Sequence, residues 1–195
     1  MSAAPQTNEF LRLSNVHAYY GESHILHGVD LTVRRGEVVT LLGRNGAGRT
    51  TTLKSILGLV GRRSGSILIN GVESVKLAPH QVARHGIGYC PEERGIFASL
   101  SCEENLQLPP ALLAGGMDLD EISEGLAPVI VQTLARTVRM LREKGFTIVM
   151  VEQNFRFAAK LADHFHVIEH GNVALSFPAS ELADKQAALD QLLSV

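Results

Sequence analysis

The sequence has only two cysteines among its 195 residues, Cys90 and Cys102, and they stand in no metal-binding or redox spacing. Net charge is also scarce. Eighteen Lys and Arg against twenty Asp and Glu leave −2, which gives no reason to expect nucleic acid or an anionic membrane as main partner. No apolar run approaches the roughly 20 residues that cross a bilayer. The opening MSAAPQTNEF lacks the apolar core of a signal peptide. The expectation is a cytoplasmic chain without direct membrane insertion, reaching a membrane only through partner subunits. Repeats, low-complexity segments and long linkers are absent. What is present is an apolar fraction of 45%, which supports a globular fold, and the length suits one domain with a sizeable core.

Residues 38–57, VVTLLGRNGAGRTTTLKSIL, organise the chain. Five apolar or β-branched residues read as a buried strand, and residues 50–57 have the composition of a helix. Between them, Gly43, Gly48, Arg49 and Thr50 fit G-x-x-x-x-G-K-[ST] with Arg in place of Lys. Gly43, Gly46 and Gly48 permit backbone shapes that a Cβ blocks. Inward-pointing amides and the helix N-terminus then favour a phosphate. Thr50 is placed to bind Mg²⁺, and Thr51 to reach a second phosphate. A bare strand-to-helix turn would explain the glycines alone, but not strand, loop, basic residue, hydroxyl pair and helix in order. Arg49 is always charged and grips phosphate with a fork where an ammonium is a point. Nucleotide binding is expected to survive this change, and hydrolysis geometry to suffer.

Alternating runs at residues 10–16 and 29–33, and a strand at 66–69 ending in Asn70-Gly71, predict a small antiparallel layer beside the loop. Residues 18–21 read as a turn. A short helix is expected at 79–85 and a short strand at 87–90. Residues 91–95 read as a charged loop, and Ser101 with Glu104 resembles a capping box opening a helix to 108. Residues 111–123 suit no element clearly. Pro128 opens the clearest helix, to Lys144, with Ile130, Leu134, Val138 and Leu141 on one apolar face and Gly145 ending it. A buried strand follows at 146–151. Asn154 caps a helix through Ala162. Strands at 165–168 and 173–177 flank His170-Gly171-Asn172, and residues 180–193 close as an amphipathic helix.

Together these residues resemble the ATP-binding subunit of an ABC transporter, nearest the short ATP-binding subunits of branched-chain amino acid importers. The resemblance covers nearly the whole chain from Phe10 onward. It rests most on YYGESHILHGVDLTVRRGEVVTLLGRNGAGRTT, PEERGIFASL, EISEGLAP and TIVMVEQN. It implies an α/β fold: a P-loop NTPase (ABC ATPase) with a RecA-like core, an N-terminal antiparallel β layer and a truncated helical subdomain. One domain would span residues 10–195, with a helical-subdomain remnant at about 96–118. ATP and Mg²⁺ are the implied cofactors. Membrane-spanning permease subunits and a sister ATP-binding subunit are the implied partners, at the cytoplasmic face of the inner membrane.

The resemblance also assigns roles by position. Tyr20 falls where an aromatic ring stacks on adenine. Gly43, Arg44, Asn45, Gly46, Ala47, Gly48, Arg49, Thr50 and Thr51 form the phosphate loop. Glu92 falls at the Q-loop, where Gln is more usual, and residues 92–97 would meet the membrane subunit. Asp120 and Glu121 fall where the family holds Mg²⁺ and polarises water. Residues 123–128 resemble the loop that touches the opposite subunit. Gln153 falls at the switch position, where His is usual. It can hydrogen-bond a γ-phosphate but cannot take up a proton as His can.

The departures carry more weight than the matches. The family signature, Leu-Ser-Gly-Gly-Gln, has only a faint counterpart at residues 113–117. Asp120 follows Met117 by three residues. A step of at most about 3.6 Å per residue cannot supply the intervening helix and connection. The apolar run expected before Asp120 is also replaced, by Gly115-Gly116-Met117-Asp118-Leu119. An interior parallel strand is expected to be near-continuously hydrophobic. Its loss would leave neighbouring strands unpaired unless residues 117–122 fill the gap. The expectation is an internal deletion joined near residues 119–122. His164, His166 and His170 read as ordinary strand and turn histidines, because no fourth ligand lies near them.

Overall fold

The computed structural model describes residues 8–90, 116–120 and 128–193. Glu92, Glu121, the helix expected at 101–108 and the loop at 123–127 lie outside them, as does most of the expected helical-subdomain remnant.

Among the described residues, ten strands form two sheets. The first is antiparallel and comprises β1 (Glu9–Tyr20), β2 (Ser23–Arg34), β4 (Arg62–Ile69) and β5 (Val72–Glu73), ordered β2-β1-β4-β5. This is the layer expected beside the phosphate loop, with longer strands. The residues read as a turn at 18–20 belong to β1, which pairs through Tyr20↔Ser23 and turns only at Gly21. Register shifts around residues 13–17, with Asn15 at φ 49°, break the alternation that would have marked one continuous strand.

The second sheet has six strands: β3 (Val38–Leu42), β6 (Ile87–Cys90), β7 (Gly116–Asp120), β8 (Thr147–Val151), β9 (His164–Glu169) and β10 (Asn172–Pro178). Their order is β10-β9-β3-β8-β7-β6, with only β10 antiparallel to its neighbour. Every residue of β3 and β8 is buried, as continuous apolar runs in a doubly covered parallel sheet require.

β7 differs from the family pattern in an instructive way. The large apolar run is absent, yet its place in the sheet is filled. Gly116–Asp120 pairs with β6 from Ile87↔Gly116 and with β8 to Asp120↔Val151. The proviso that residues near 117–122 close the gap is met, one residue early. Backbone hydrogen bonds do not read side chains, so a strand of the right length satisfies both neighbours.

Five helices complete the described chain: α1 (Arg49–Ile56), α2 (Pro79–Ala83), α3 (Pro128–Glu143), α4 (Phe155–Ala158) and α5 (Leu182–Leu193). A 3₁₀ turn at Ala179–Glu181 leads into α5. The helix expected from Asn154 to Ala162 is α-helical only as far as Ala158, although the Asn154 side chain does cap it by accepting from the Phe157 amide. Alternate residues of the central strands feed opposite cores. Val39, Leu41, Val149 and Val151 join the antiparallel sheet, Leu53 and Ile56 of α1. Val38, Ile148 and Met150 meet Leu134, Val138 and Leu141 of α3. Asp163 ties the second arrangement together: its carboxylate accepts from the Val38 amide at 2.9 Å and from Arg142 of α3 at 2.6 Å.

Candidate nucleotide-binding site

β3 runs up the middle of the central sheet and delivers the glycine loop beyond the carboxyl ends of the parallel strands, the usual place for ligands in such sheets. Three glycines allow the loop its shape. Gly43, Gly46 and Gly48 lie at φ 153°, 78° and 110°. A Cβ on Gly48 would come within 2.9 Å of Leu26 Cδ2, and one on Gly43 would strike the Ile168 carbonyl. Gly46 faces open space. α1 then begins at Arg49, so its first-turn amides, which no intrahelical carbonyl can accept from, open on the loop.

The loop is also strapped from behind. Gly171 donates to the Ala47 carbonyl at 2.8 Å, and the Gly171 carbonyl accepts from the His27 amide at 2.8 Å. Gly171 has φ 75°, and a Cβ there would strike the Ile25 carbonyl. Read from sequence, His170-Gly171-Asn172 was only a turn between strands. Its role as a brace between β2 and the loop needs contacts that sequence spacing does not reveal.

The chain brings Tyr20, Asn45 to Thr51 and Gln153 around one depression of about 460 Å³. Tyr20 lies at its edge, 47% exposed, at the end of the β1–β2 hairpin. Ile25 also lines it, which the sequence did not single out. Asn45 is the hub. Its Oδ1 accepts from Gln153 Nε2 at 2.6 Å and from Arg49 Nη2 at 3.1 Å. The switch position and the basic residue of the loop therefore meet on one amide oxygen. Arg49 is buried, as are Thr51 and Thr52, and Thr50 is half-buried on the lining. Thr52 Oγ1 donates to the Gly48 carbonyl at 2.9 Å, which fixes the first turn.

Asp120 is placed by register alone. It pairs with Val151, and Val151 pairs with Leu41. Asp120 thus stands at the carboxyl end of its strand, level with the last turn of β3 before the loop and two strand spacings away, about 10 Å. The buried Glu152, just before Gln153, was read from sequence only as the end of a strand. Gly43 and Arg44 are in the loop but do not line the depression.

This arrangement accommodates a nucleoside triphosphate: a glycine cradle for phosphates, a guanidinium behind it, and an aromatic ring at its edge. The Thr50 hydroxyl, on the lining, is an oxygen of the kind that a hard divalent cation could take as a ligand. A family model for ABC transporters matches residues 26–184. The chain belongs to the ABC transporter family.

The branched-chain amino acid transport ATP-binding protein BraG of Pseudomonas aeruginosa is 33% identical over 230 residues, covering 94% of this chain and 99% of that protein. The probable branched-chain amino acid transport ATP-binding protein LivF of Archaeoglobus fulgidus is 30% identical over 224 residues, covering 90% and 95%. A solved ATP-binding subunit of an ABC transporter superposes with TM-score 0.76 at 24% identity, covering 94% and 97%, which establishes the ABC ATPase fold. The alignments also measure a shortfall. Against BraG, 94% of 195 residues is about 183, so about 47 of 230 positions have no counterpart here. Against LivF, 90% is about 176 of 224 positions, a shortfall of about 48. Because both ends of each relative are nearly reached, this ABC ATP-binding subunit is shorter inside the chain, as expected from the missing signature.

Proposed function

We propose that this ABC ATP-binding subunit serves an importer for branched-chain amino acids and binds ATP with negligible hydrolysis on its own. The observation that carries the binding half is the single depression joining Tyr20, the glycine loop and Gln153. Tyr20 stacks on the adenine. The loop amides and Arg49 hold the phosphates, and Thr51 reaches a second one. Gln153 reads the γ-phosphate and reports it to the loop through Asn45. Mg²⁺, when bound, neutralises phosphate charge and takes the Thr50 hydroxyl and Asp120 as ligands. Glu121 polarises the attacking water and Glu92 answers to the membrane subunit, both by family position.

The solute assignment is supported by the relatives, whose own names state branched-chain amino acid transport. Urea or another amide is the competing solute. Permease subunits and a sister ATP-binding subunit are the partners, through which the chain sits at the cytoplasmic face of the inner membrane. Among the described residues no helix is long and apolar enough to cross a membrane.

The internal shortfall of about 47 positions supports the hydrolysis half. Family members work as head-to-tail dimers in which each signature closes on the other's ATP. A chain without the signature leaves both sites of a homodimer incomplete. The same shortfall favours a second reading, a non-catalytic nucleotide module that regulates its complex.

ATP binding and hydrolysis measured on one purified sample, alone and with an intact sister subunit, test the proposal. Saturable ATP-dependent thermal stabilisation without turnover is expected, since a ligand selective for the folded state raises its stability. Its absence would reduce the chain to a remnant. Robust turnover by the isolated chain, abolished in Arg49→Ala, would overturn the hydrolysis assignment. Turnover that appears only with the sister subunit would favour the regulatory reading.

A further inference from the structure

The two sheets face each other across a second depression, of about 430 Å³, which shares no lining residue with the nucleotide site. Arg12, Asp30, Thr32 and Arg34 line it from the antiparallel sheet. Arg12 stands directly opposite Thr32 in the β1–β2 register, with Asp30 and Arg34 two residues to either side on β2. His164 and His166 of β9 and Ser176 of β10 line it from the central sheet. The two histidines are two residues apart on one strand face, with ring centroids 4.8 Å apart.

His166 is the anomaly. It is only 4% exposed, and among the described residues neither ring nitrogen has a hydrogen-bond partner of good geometry, the Thr32 backbone being the nearest candidate. A buried polar group without a partner is costly, and an aliphatic residue would fill the same place without that cost. Burial first and the neighbouring His164 second bring its pKa down to about 4, with the Thr32 backbone opposing only in part. His164, whose Nε2 lies 2.9 Å from Ser176 Oγ, is lowered for the same first reason, with Glu37 and Glu181 opposing and Arg34 assisting.

The rim supplies cationic donors. Arg12 pairs with Glu9 at 2.9 Å and Arg34 with Glu37 at 3.7 Å, both guanidiniums well exposed. Each has five N–H donors, so one carboxylate leaves donors to spare. Asp30 is the acidic member of the lining, and its Oδ1 accepts from the Asn15 amide at 2.9 Å. With Glu9 and Glu37 counted beside Asp30 the rim carries no net positive charge, so the spare guanidinium N–H donors suit at most a singly charged anion held by hydrogen bonds.

We propose that this inter-sheet depression is a second ligand site, taking one small oxyanion group, a carboxylate or a phosphate monoanion. Arg12 and Arg34 hold the oxygens from the rim, and His166 hydrogen-bonds the anion from below. The reading does not depend on nucleotide binding. An anion beside His166 favours the imidazolium, so binding takes up a proton and tightens as the pH falls toward the free ring's value of about 4.

Titration of the full chain with sodium acetate and with inorganic phosphate, followed by the histidine Cε1–H resonances, tests this. Sodium chloride serves as the screening control. The expected result is a saturable shift of the His164 and His166 signals and a rise of about one unit in the His166 midpoint, a tenfold change in proton affinity. Acetate alone acting identifies a carboxylate site, and phosphate alone a phosphate site. Arg34→Gln weakens either response about tenfold by removing a charge-assisted pair. Arg49→Ala, which disables the glycine loop, leaves it intact. His166 signals unmoved by both anions, moved equally by chloride, or silenced by Arg49→Ala would each overturn the proposal. The wild-type titration decides even where a variant folds poorly.

Discussion

His166 makes the stability of this protein depend on pH between the ordinary histidine value and about 4. Its imidazole is shut between two sheets and its pKa falls from 6.5 to about 4. The unfolded chain takes up the proton first. Stability contributed by the neutral ring is therefore fully present above pH 6.5 and is lost as the pH falls toward 4. The shift of about 2.5 units corresponds to roughly 3 kcal/mol at full loss, and to about 2 kcal/mol already at pH 5. That is a substantial part of the stability of an ordinary domain.

The measurement compares wild type with His166→Leu by urea denaturation from pH 7.5 to pH 4.5, in buffers free of acetate and phosphate. At pH 7.5 the variant should equal or exceed wild type, because it removes two buried nitrogens that lack partners, a gain of up to about 1–3 kcal/mol. Toward pH 5 its advantage should widen by about 2 kcal/mol. Carboxylates titrate in both proteins and cancel in the difference. Parallel stability curves for the two proteins across that range would refute the burial argument. So would a wild type that gains stability on acidification.

Three further outcomes follow from the same contacts. Asn45→Ala removes the oxygen shared by Gln153 and Arg49 and should weaken ATP affinity about tenfold, read as a smaller ATP-dependent rise in Tm, with a change below threefold refuting the hub role. Gly48→Ala forces a Cβ to within 2.9 Å of Leu26 at φ 110° and should cost about 1–3 kcal/mol in urea denaturation as well as nucleotide binding. Asp163→Ala strips the Val38 amide and Arg142 of one shared acceptor and should destabilise by about 1–3 kcal/mol without altering nucleotide affinity in the remaining folded protein.

Local pattern carried the reading furthest where a residue's role is set by its neighbours in sequence. Val38–Leu42, the glycines and α1 were legible because strand, turn and helix each leave a short-range mark. The Pro128 helix was legible for the same reason, ending at Glu143 rather than Lys144. β1 was cut short because Asn15 and the bulges beside it interrupt the alternation, and because Tyr20-Gly21 mimics an early turn. The hub was not legible. Asn45 and Gln153 are 108 residues apart, and nothing in either neighbourhood names the other. His166 shows the same limit from the other side: alternation says that it shares a face with His164, not that an arginine-rimmed sheet covers that face.

β7 shows why a shortened chain can keep one half of this site. A parallel sheet needs each interior strand to offer amides and carbonyls to two neighbours, and five residues without proline meet that need whatever their side chains. Gly116–Asp120 does so between β6 and β8, although its sequence lacks the apolar run of the family pattern. The glycine loop hangs from β3, which is held by β8 and β9 and does not touch β7. β7 reaches the cradle instead through α1, against which it packs, so a short strand that keeps its place there keeps that support. On the proposed function, what is lost is the signature segment that reaches toward a second subunit, whose contribution no backbone pairing replaces. Grafting that segment back before Asp120 should leave ATP affinity within about threefold of its present value while raising turnover, and a graft that changed affinity far more than turnover would show that cradle and sheet are coupled after all.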